Sequence, residues 1–347
     1  MYLTEKEIFS QQEALEKTFL LVMSERARLV DYVAFPRRRY VFFGCGSSYM
    51  LAKSAAKMFS LKRGVDAYAI AGGDYLLDPD LHQYLVENAV IVFLSRSGST
   101  SEIIRAAEEL RKRGNGPVVS VTMRENSALE GFSDYTLTLP WAFDESVCQT
   151  RTVTNFYAVQ LLMSAIYDGN QAQIDDVSKA ISGVSGLLDK WRPSLADIAR
   201  EKTFSDVVVL GDGVLCGIAE EASLAFTEIC MISGKHFNLL DYRHGPKVLN
   251  SASTLSIIAI QPTDQPDKAK LQSDLLNDIK ACGGTTIVIR PANTDFTGDF
   301  TIDCDFTFFP TYGIALICAA QILALEKAVA GGINPDKPSG LTAWISL

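Results

Sequence analysis

The chain has 347 residues, 48% of them apolar and 21% charged, with a formal net charge of −9. That length suits two ordinary domains with substantial cores, and the interspersed charges exclude global disorder. The acidic balance excludes a general nucleic-acid binder, which needs a basic face to neutralise phosphates; a small anionic substrate answers to a few local donors and stays admissible.

In chain order, the opening stretch MYLTEKEIFSQQEALEKTF lacks the uninterrupted apolar core of a signal peptide and reads, through residue 35, as a helical segment. Tyr40–Ser48, YVFFGCGSS, is an apolar run ending in Gly-x-Gly, with a helix pattern after it. Ala89–Ser97, AVIVFLSRS, is a buried-strand pattern followed by a helix-forming stretch, Thr100–Arg113, then Gly114 and a β-rich run, Pro117–Thr122. Ile174–Lys202 reads as a helical connector. The same series then recurs: VVVLGDGVL at Val207–Leu215, a helix over Ile218–Gly234, LSIIAIQPT at Leu255–Thr263, a helix over Asp267–Cys282, Gly283 and a strand at Thr285–Ile289. Gly44 aligns with Gly211 at an offset of 167 and Leu94 with Ile260 at 166, so the two halves read as an internal duplication. The apolar run Gly313–Leu325 is interrupted at Gln321 and followed by Glu326; it is too short to span a bilayer and reads as a core helix.

Strands that are apolar throughout, alternating with amphipathic helices, predict parallel sheets covered on both faces. The expected fold class is α/β, two doubly wound parallel-sheet domains related by duplication. The expected division is a helical segment over 1–35, a first domain over 36–172, a helical connector over 173–202 and a second domain over 203–347. Ligands of such folds bind beyond the carboxyl ends of the strands, the edge that carries both Gly-x-Gly turns and the Ser95 loop.

The seven cysteines are scattered, odd in number and free of any Cys-x-x-Cys pair, which fits reduced thiols in a cytoplasmic protein. His82, His236 and His244 show no metal-ligand spacing, and no metal is expected. The Gly44-Cys45-Gly46 turn lacks the third glycine of a dinucleotide fingerprint, and no P-loop is present, so neither a nicotinamide or flavin cofactor nor nucleotide hydrolysis is expected.

Ser95-Arg96-Ser97-Gly98-Ser99-Thr100 follows a strand and opens a helix. A helix N-terminus carries free N–H groups and partial positive charge. Gly98 permits close backbone approach, and four hydroxyls add donors without bulk. The alternative is an ordinary N-cap, with Glu102 capping the first turn. On the helix over Ile218–Gly234, Glu221 and Glu228 are seven apart and share a face. Glu228, beside Ala225, Phe226, Ile229 and Cys230, is expected to be partly desolvated, which raises a carboxylate pKa and suits a base near neutral pH; Glu220 reads as an ordinary solvated position. His244 lies in Asp241-Tyr242-Arg243-His244-Gly245-Pro246, where Gly-Pro dictates a loop. A loop histidine is ordinarily just exposed; this one adjoins Arg243, a candidate anion holder.

At these residues the chain resembles the double sugar-isomerase (SIS) domain proteins, from about Tyr40 to the C-terminus. The likeness rests on FFGCGSS, LSRSGST, ESVCQTRTVT at Glu145–Thr154, the Glu228 helix and YRHGP. The spacing of sixteen residues between Glu228 and His244 is that of the base glutamate and the His-Gly-Pro histidine in the isomerase domain of glucosamine-6-phosphate synthase. Arg-His-Gly-Pro-Lys and Gly332-Ile333-Asn334-Pro335-Asp336 look closest to the branch of tagatose-6-phosphate ketose/aldose isomerases and galactosamine-6-phosphate isomerase/deaminases. The resemblance implies flavodoxin-like SIS domains, with phosphate held by Ser48, Ser95, Ser97 and Thr100 and the sugar lined by Gln149 and Thr150. It further implies Glu221 near the site, Glu228 as base and His244 assisting ring opening. It also implies a homodimer whose histidine comes from the partner subunit; on charge and apolar-run length no nucleic-acid or membrane partner is expected. Two departures stand out: relatives carry lysines where this chain has Ala225 and Ala343. Arg96 or Arg151 is then expected to supply the missing charge. Because of those losses, and with no glutamine-hydrolysing domain expected ahead of the isomerase part, synthesis of glucosamine 6-phosphate is not the expected reaction. The expected activity is aldose–ketose isomerisation, with or without deamination, of a hexose or amino-hexose 6-phosphate through an enediol or enolamine. The alternatives are a fructosamine-6-phosphate deglycase and a non-catalytic sugar-phosphate sensor.

Overall fold

The structure, a computed structural model, describes residues 1–34, 38–114 and 116–343. The expected boundary at residues 35 and 36, and the chain end after 343, lie outside the described residues.

Three helices come first: α1 (Leu3–Phe9), α2 (Gln11–Ser24) and α3 (Arg26–Val33). A first alternating series follows: β1 (Arg39–Gly44), α4 (Ser47–Ser60), β2 (Asp66–Ala71), α5 (Gly72–Leu77), α6 (Gln83–Val86), β3 (Val90–Ser95), α7 (Ser101–Arg113), β4 (Val118–Thr122) and β5 (Tyr135–Thr138). After α8 (Arg151–Tyr167) and α9 (Gln171–Glu201) comes a second: β6 (Asp206–Leu210), α10 (Cys216–Cys230), β7 (Ser233–Phe237), β8 (Thr254–Ala259), α11 (Pro266–Ala281), β9 (Thr285–Pro291), β10 (Phe300–Cys304) and α12 (Tyr312–Ala330).

Each series makes one five-stranded, all-parallel sheet, in the order β2-β1-β3-β4-β5 and β10-β9-β8-β6-β7. Read from the other edge, the second order is the first repeated, strand for strand, so the duplication expected from two glycine and leucine offsets extends to topology. The division into compact bodies cuts across sequence order. One body is Ser10–Glu145, Arg151–Ser182 and Thr342–Leu347, as far as these are described; the other is Met1–Phe9, Ser146–Thr150 and Gly183–Leu341. Helix α1 and the five residues Ser146–Thr150 thus fold with the second sheet, and the boundary falls inside α9.

Side-chain alternation sorts the helices of the first body onto two faces. Tyr40 and Phe42 of β1 pack against Phe59 of α4 with tilted rings, centroids 4.7 and 5.3 Å apart. Val41 and Phe43 point the other way and pack with Ile103, Ala106 and Leu110 of α7. In the second body Val208, Leu210, Ile258 and Val288 pack with Leu275, Leu276 and Ile279 of α11.

Four edge strands, β2, β5, β7 and β10, were not expected; β5, β7 and β10 carry no unbroken apolar run. The helix expected over Ile218–Gly234 stops at Cys230, because Met231 takes a left-handed turn (φ 57°) and Ser233–Phe237 becomes β7. The packing of β7 on α10 dictates Gly234: a methyl group there would come 1.9 Å from the Ser223 carbonyl oxygen. The helix that carries the C-terminal apolar run continues to Ala330. The stretch Phe309–Ala330 is long and apolar enough to cross a membrane, with mean hydropathy 1.7, yet 78% of that window is buried inside the protein.

Candidate functional site

The Ser95 loop owes its form to where the chain reverses direction across the sheet. From β1 the chain moves through α4 to β2 on one side; from β3 it moves through α7 to β4 on the other. Right-handed crossovers of opposite direction put the two helices on opposite faces and open a crevice at the carboxyl ends of β1 and β3. The N-termini of α4 and α7 both begin at that crevice, bringing Ser47 and Ser48 to it from one side and Ser97–Thr100 from the other.

Glycines make both turns possible. A methyl group at Gly44 would come 2.4 Å from the Ser48 carbonyl, so this glycine serves the tight strand-to-helix junction. Gly98 has φ +58°, and a methyl group there would come 2.5 Å from the Ser127 side chain and 2.9 Å from Thr122 Oγ1. The loop is sewn to the end of β4: Met123 N–H donates to the Arg96 carbonyl (3.1 Å) and Leu129 N–H to the Gly98 carbonyl (3.0 Å). Inside it, Gly98 N–H donates to Ser95 Oγ (3.1 Å) and Ser99 N–H to Ser97 Oγ (3.2 Å). Ser97 Oγ and Thr100 Oγ1 are 3.5 Å apart. Ser48, Ser95 and Ser97 are buried, and Thr100 makes no side-chain capping bond to α7. The result is a curled loop of hydroxyls and backbone N–H groups at the positive end of a thirteen-residue helix, the arrangement that suits a phosphate. Glu102 does not act as the cap that the sequence alone allowed. It lies against Cys45, whose thiol is pushed up to about 11 by burial and, next, by that carboxylate; Cys45 therefore adds no negative charge at neutral pH.

The two arginines differ. Arg151 is held by its own surroundings: Nη2 donates to the Phe143 carbonyl (2.6 Å), Nη1 to Ser10 Oγ (3.1 Å), and Nε lies 3.6 Å from the buried Asp144 carboxylate. Arg96, also buried, donates through Nη2 to the carbonyl of Ala343 (2.6 Å), with its guanidinium 5.8 Å from the Phe143 ring. The cation thus sits beside a position where the resemblance expects a lysine.

The remaining residues lie in the second body. Glu221 is buried on α10 (1% exposed), and Glu228, further along the same helix, is half-buried, as is Glu220, which the sequence suggested would be solvated. Thr150 is fully buried. Gln149 is half-buried, and its Oε1 atom is buried without a hydrogen-bond partner among the described residues. A buried acceptor left in that state calls for an explanation, and a donor from a ligand is one. His244 is exposed, between two short 3-10 turns, Asp241–Arg243 and Pro246–Leu249. Arg243 pairs with Asp278 of α11 through Nη2 (3.1 Å), and Lys247 pairs with the same carboxylate (3.3 Å).

Glu228 and His244 do not share a side of their own sheet. The segment before His244 packs Leu239 and Tyr242 into the cluster that contains the α11 leucines. Helix α10 joins β6 to β7, whereas α11 joins β8 to β9 in the opposite direction, so handedness places them on opposite faces. Within one copy the sheet separates the carboxylate from the imidazole.

The carboxyl edge of the second sheet does not repeat the hydroxyl loop. A cleft of about 320 Å³ is present there, lined among others by Asp212, Gln261, Thr263, Lys268 and Gln272. Pro262 and Pro266 remove N–H donors, and the Asp212 carboxylate is engaged by Asn238 Nδ2 and Leu239 N–H, each at 2.9 Å. Among the described residues, no cluster of three or more histidine, cysteine or acidic side chains forms a metal site.

Comparison with known proteins agrees with this fold. Residues 35–166 match the SIS domain family. The glutamine–fructose-6-phosphate aminotransferase (isomerizing) of Sulfolobus acidocaldarius is 23% identical over 350 residues, 99% of this chain and 56% of that protein. The chain thus spans a little over half the length of the curated relatives it matches. The crystal structure of glucosamine-6-phosphate deaminase from Thermotoga maritima superposes with a TM-score of 0.81 at 26% identity, covering 99% of this chain and 100% of that one. Tagatose-6-phosphate ketose/aldose isomerase from Escherichia coli has the same fold, with a TM-score of 0.81, 20% identity and coverage of 99% and 97%.

Proposed function

Residues 35–166 being a SIS domain, with a second SIS-like sheet after it, we propose that the protein is a phosphosugar isomerase of a hexose or amino-hexose 6-phosphate. The observation that carries this reading is the hydroxyl loop Ser95–Thr100 at the strand-reversal crevice, where two helix N-termini begin. Ser48, Ser95, Ser97 and Thr100 hold the phosphate, and Gln149 and Thr150 contact the sugar. Glu228 takes the proton from the carbon next to the carbonyl and returns it to the neighbouring carbon, through an enediol or, for an amino sugar, an enolamine. Phosphate binding holds the carbon chain in register for that transfer. Arg96, beside Ala343, supplies the positive charge that relatives draw from lysine. The enzyme acts in the cytoplasm and needs no cofactor.

His244 opens the sugar ring, and it does so for the site of a second copy of the chain. The separation of Glu228 and His244 by their own sheet supports a homodimer in which each copy lends its histidine.

The deciding experiment is a panel of hexose and amino-hexose 6-phosphates incubated in deuterium oxide and followed by NMR. Deuterium entering at C1 or C2 with wild-type protein, and not with Glu228→Gln, is the expected result. No exchange from any member of the panel sinks the reading. Release of a free amino acid from a fructosamine 6-phosphate assigns the same base to a deglycase instead, and tight binding without turnover assigns a sensor.

A further inference from the structure

Helix α1 and the loop Ser146–Thr150 are far apart in sequence and fold into the same body. Several backbone groups of that loop are tied down by residues outside it. Ser146 N–H donates to Glu7 Oε1 at 3.1 Å, and Ser146 Oγ makes a short hydrogen bond to the other Glu7 oxygen. The same hydroxyl is 2.9 Å from the Cys148 carbonyl. Val147 N–H donates to the Asp336 carbonyl (3.0 Å), and the Thr150 carbonyl accepts from Gln321 Nε2 on α12 (2.9 Å). Glu7, Ser146 and Gln321 are all buried.

Glu7 is itself held in place. The Asp336 carboxylate receives Leu3 N–H (2.9 Å), Thr4 N–H (2.8 Å) and Thr4 Oγ1 (2.9 Å), which fastens the start of α1. Arg192 bridges Glu5 of α1 (2.6 Å) and Glu326 of α12 (2.8 Å), which fastens its side. A seven-residue helix has no stability of its own, so these contacts keep it folded. A buried carboxylate is tolerated only where charge-assisted hydrogen bonds replace water, and here both oxygens are spent on one residue of the loop. Within the segment, the Oε1 atom of Gln149 is buried without a hydrogen-bond partner among the described residues.

We propose that Glu7 is a positioning residue: through Ser146 it sets the loop so that Gln149 meets the sugar. This rests on the reading of Gln149 and Thr150 as sugar contacts. The helix at the start of the chain is then part of the site's machinery and not a preamble to it.

The test compares Glu7→Ala with Glu7→Gln. Glutamine keeps the arrangement: its carbonyl accepts Ser146 N–H, and its amide donates to Ser146 Oγ, whose hydrogen then goes to the Cys148 carbonyl. Alanine strands Ser146 N–H. For Glu7→Ala, kcat for a turned-over 6-phosphosugar falls by about 10- to 100-fold, the cost of a reactant displaced by about an ångström. Affinity for inorganic phosphate, which reads the Ser95 loop alone, stays within about twofold, and Glu7→Gln stays within about threefold of wild type in kcat. Amide exchange by mass spectrometry over residues 145–151 quickens in Glu7→Ala and not in Glu7→Gln. Unchanged kcat in Glu7→Ala, equal loss in both variants, or loss of phosphate affinity and melting temperature together overturns the proposal. If wild type turns over nothing, the isomerase reading fails by itself; unchanged amide exchange over 145–151 in Glu7→Ala then separately overturns the anchoring. If Glu7→Ala does not fold, Ser146→Ala removes only the hydroxyl bond, and wild-type kcat in that variant overturns the proposal as well.

Discussion

Replacing Gly98 by alanine tests the phosphate loop at its most constrained point. The residue sits at φ +58°, where an L side chain costs about 1–2 kcal/mol. The added methyl group would also come 2.5 Å from the Ser127 side chain. Ser127 cannot easily yield: it is the N-cap of the 3-10 turn Ala128–Phe132, bonded reciprocally with Glu130. Forcing a methyl into such a contact costs about 1–3 kcal/mol more. Together the penalty is about 2–5 kcal/mol, a large share of the roughly 5–15 kcal/mol that holds a domain folded. The chain relieves it by shifting the loop off the end of β4, which breaks the Leu129 N–H to Gly98 carbonyl bond and misaligns Ser97 and Thr100. Titration calorimetry with inorganic phosphate is expected to show affinity weakened by at least about tenfold, roughly 1.4 kcal/mol, alongside a lowered melting temperature. The control is Gly73→Ala in α5, where a methyl meets nothing within 4 Å and φ is ordinary; it is expected to be neutral or to stabilise by about 0.4–1 kcal/mol. Wild-type phosphate affinity and melting in Gly98→Ala would refute the assignment of this loop.

Glu228→Gln is expected to lower kcat for proton exchange by about 10²–10⁴-fold with inorganic phosphate affinity unchanged, since a general base acts on the carbon and not on the phosphate; exchange at the wild-type rate removes Glu228 from the mechanism. Mixing inactive Glu228→Gln with inactive His244→Ala should restore about a quarter of wild-type activity, because half of randomly paired two-fold dimers hold one intact site; silence of the mixture places both residues on one copy. Iodoacetamide at pH 8, read by peptide mass spectrometry, should label the exposed Cys282 and spare Cys45, whose thiol is held protonated up to about 11. The sign for stability follows: a thiol with its pKa raised from 9.0 favours the fold fully below pH 9.0 and loses that contribution as pH climbs towards about 11. Alkaline melting curves should therefore decline over that window less steeply in Cys45→Ala, and an unchanged slope counts against the buried placement of this thiol.

Central strands were legible because burial on both faces demands unbroken apolar runs, as in YVFFG, AVIVFL and LSIIAI. Edge strands were not: β7 has an exposed or half-buried residue at every position, so nothing in Ser233–Phe237 distinguishes it from the end of a helix. The site candidates divide in the same way. Ser95–Thr100 stands out locally as a candidate, since hydroxyls and a glycine at a strand–helix junction suit an anion. Glu7 was invisible, because a glutamate on an amphipathic helix has no local mark that distinguishes a buried anchor from a solvated face. Its single telling feature, a bond to Ser146, spans 139 residues.

The sequence alone therefore determined the α/β class, the duplication and the central strands, all of which depend on neighbours a few residues away. Only the tertiary structure decided the edge strands, the passage of α1 and Ser146–Thr150 into the second body, the commitment of Arg243 to Asp278 and of Arg96 to Ala343, and the opposite faces of Glu228 and His244. These depend on the direction in which each crossover runs and on which distant groups meet when it closes, and neither quantity is written in local spacing.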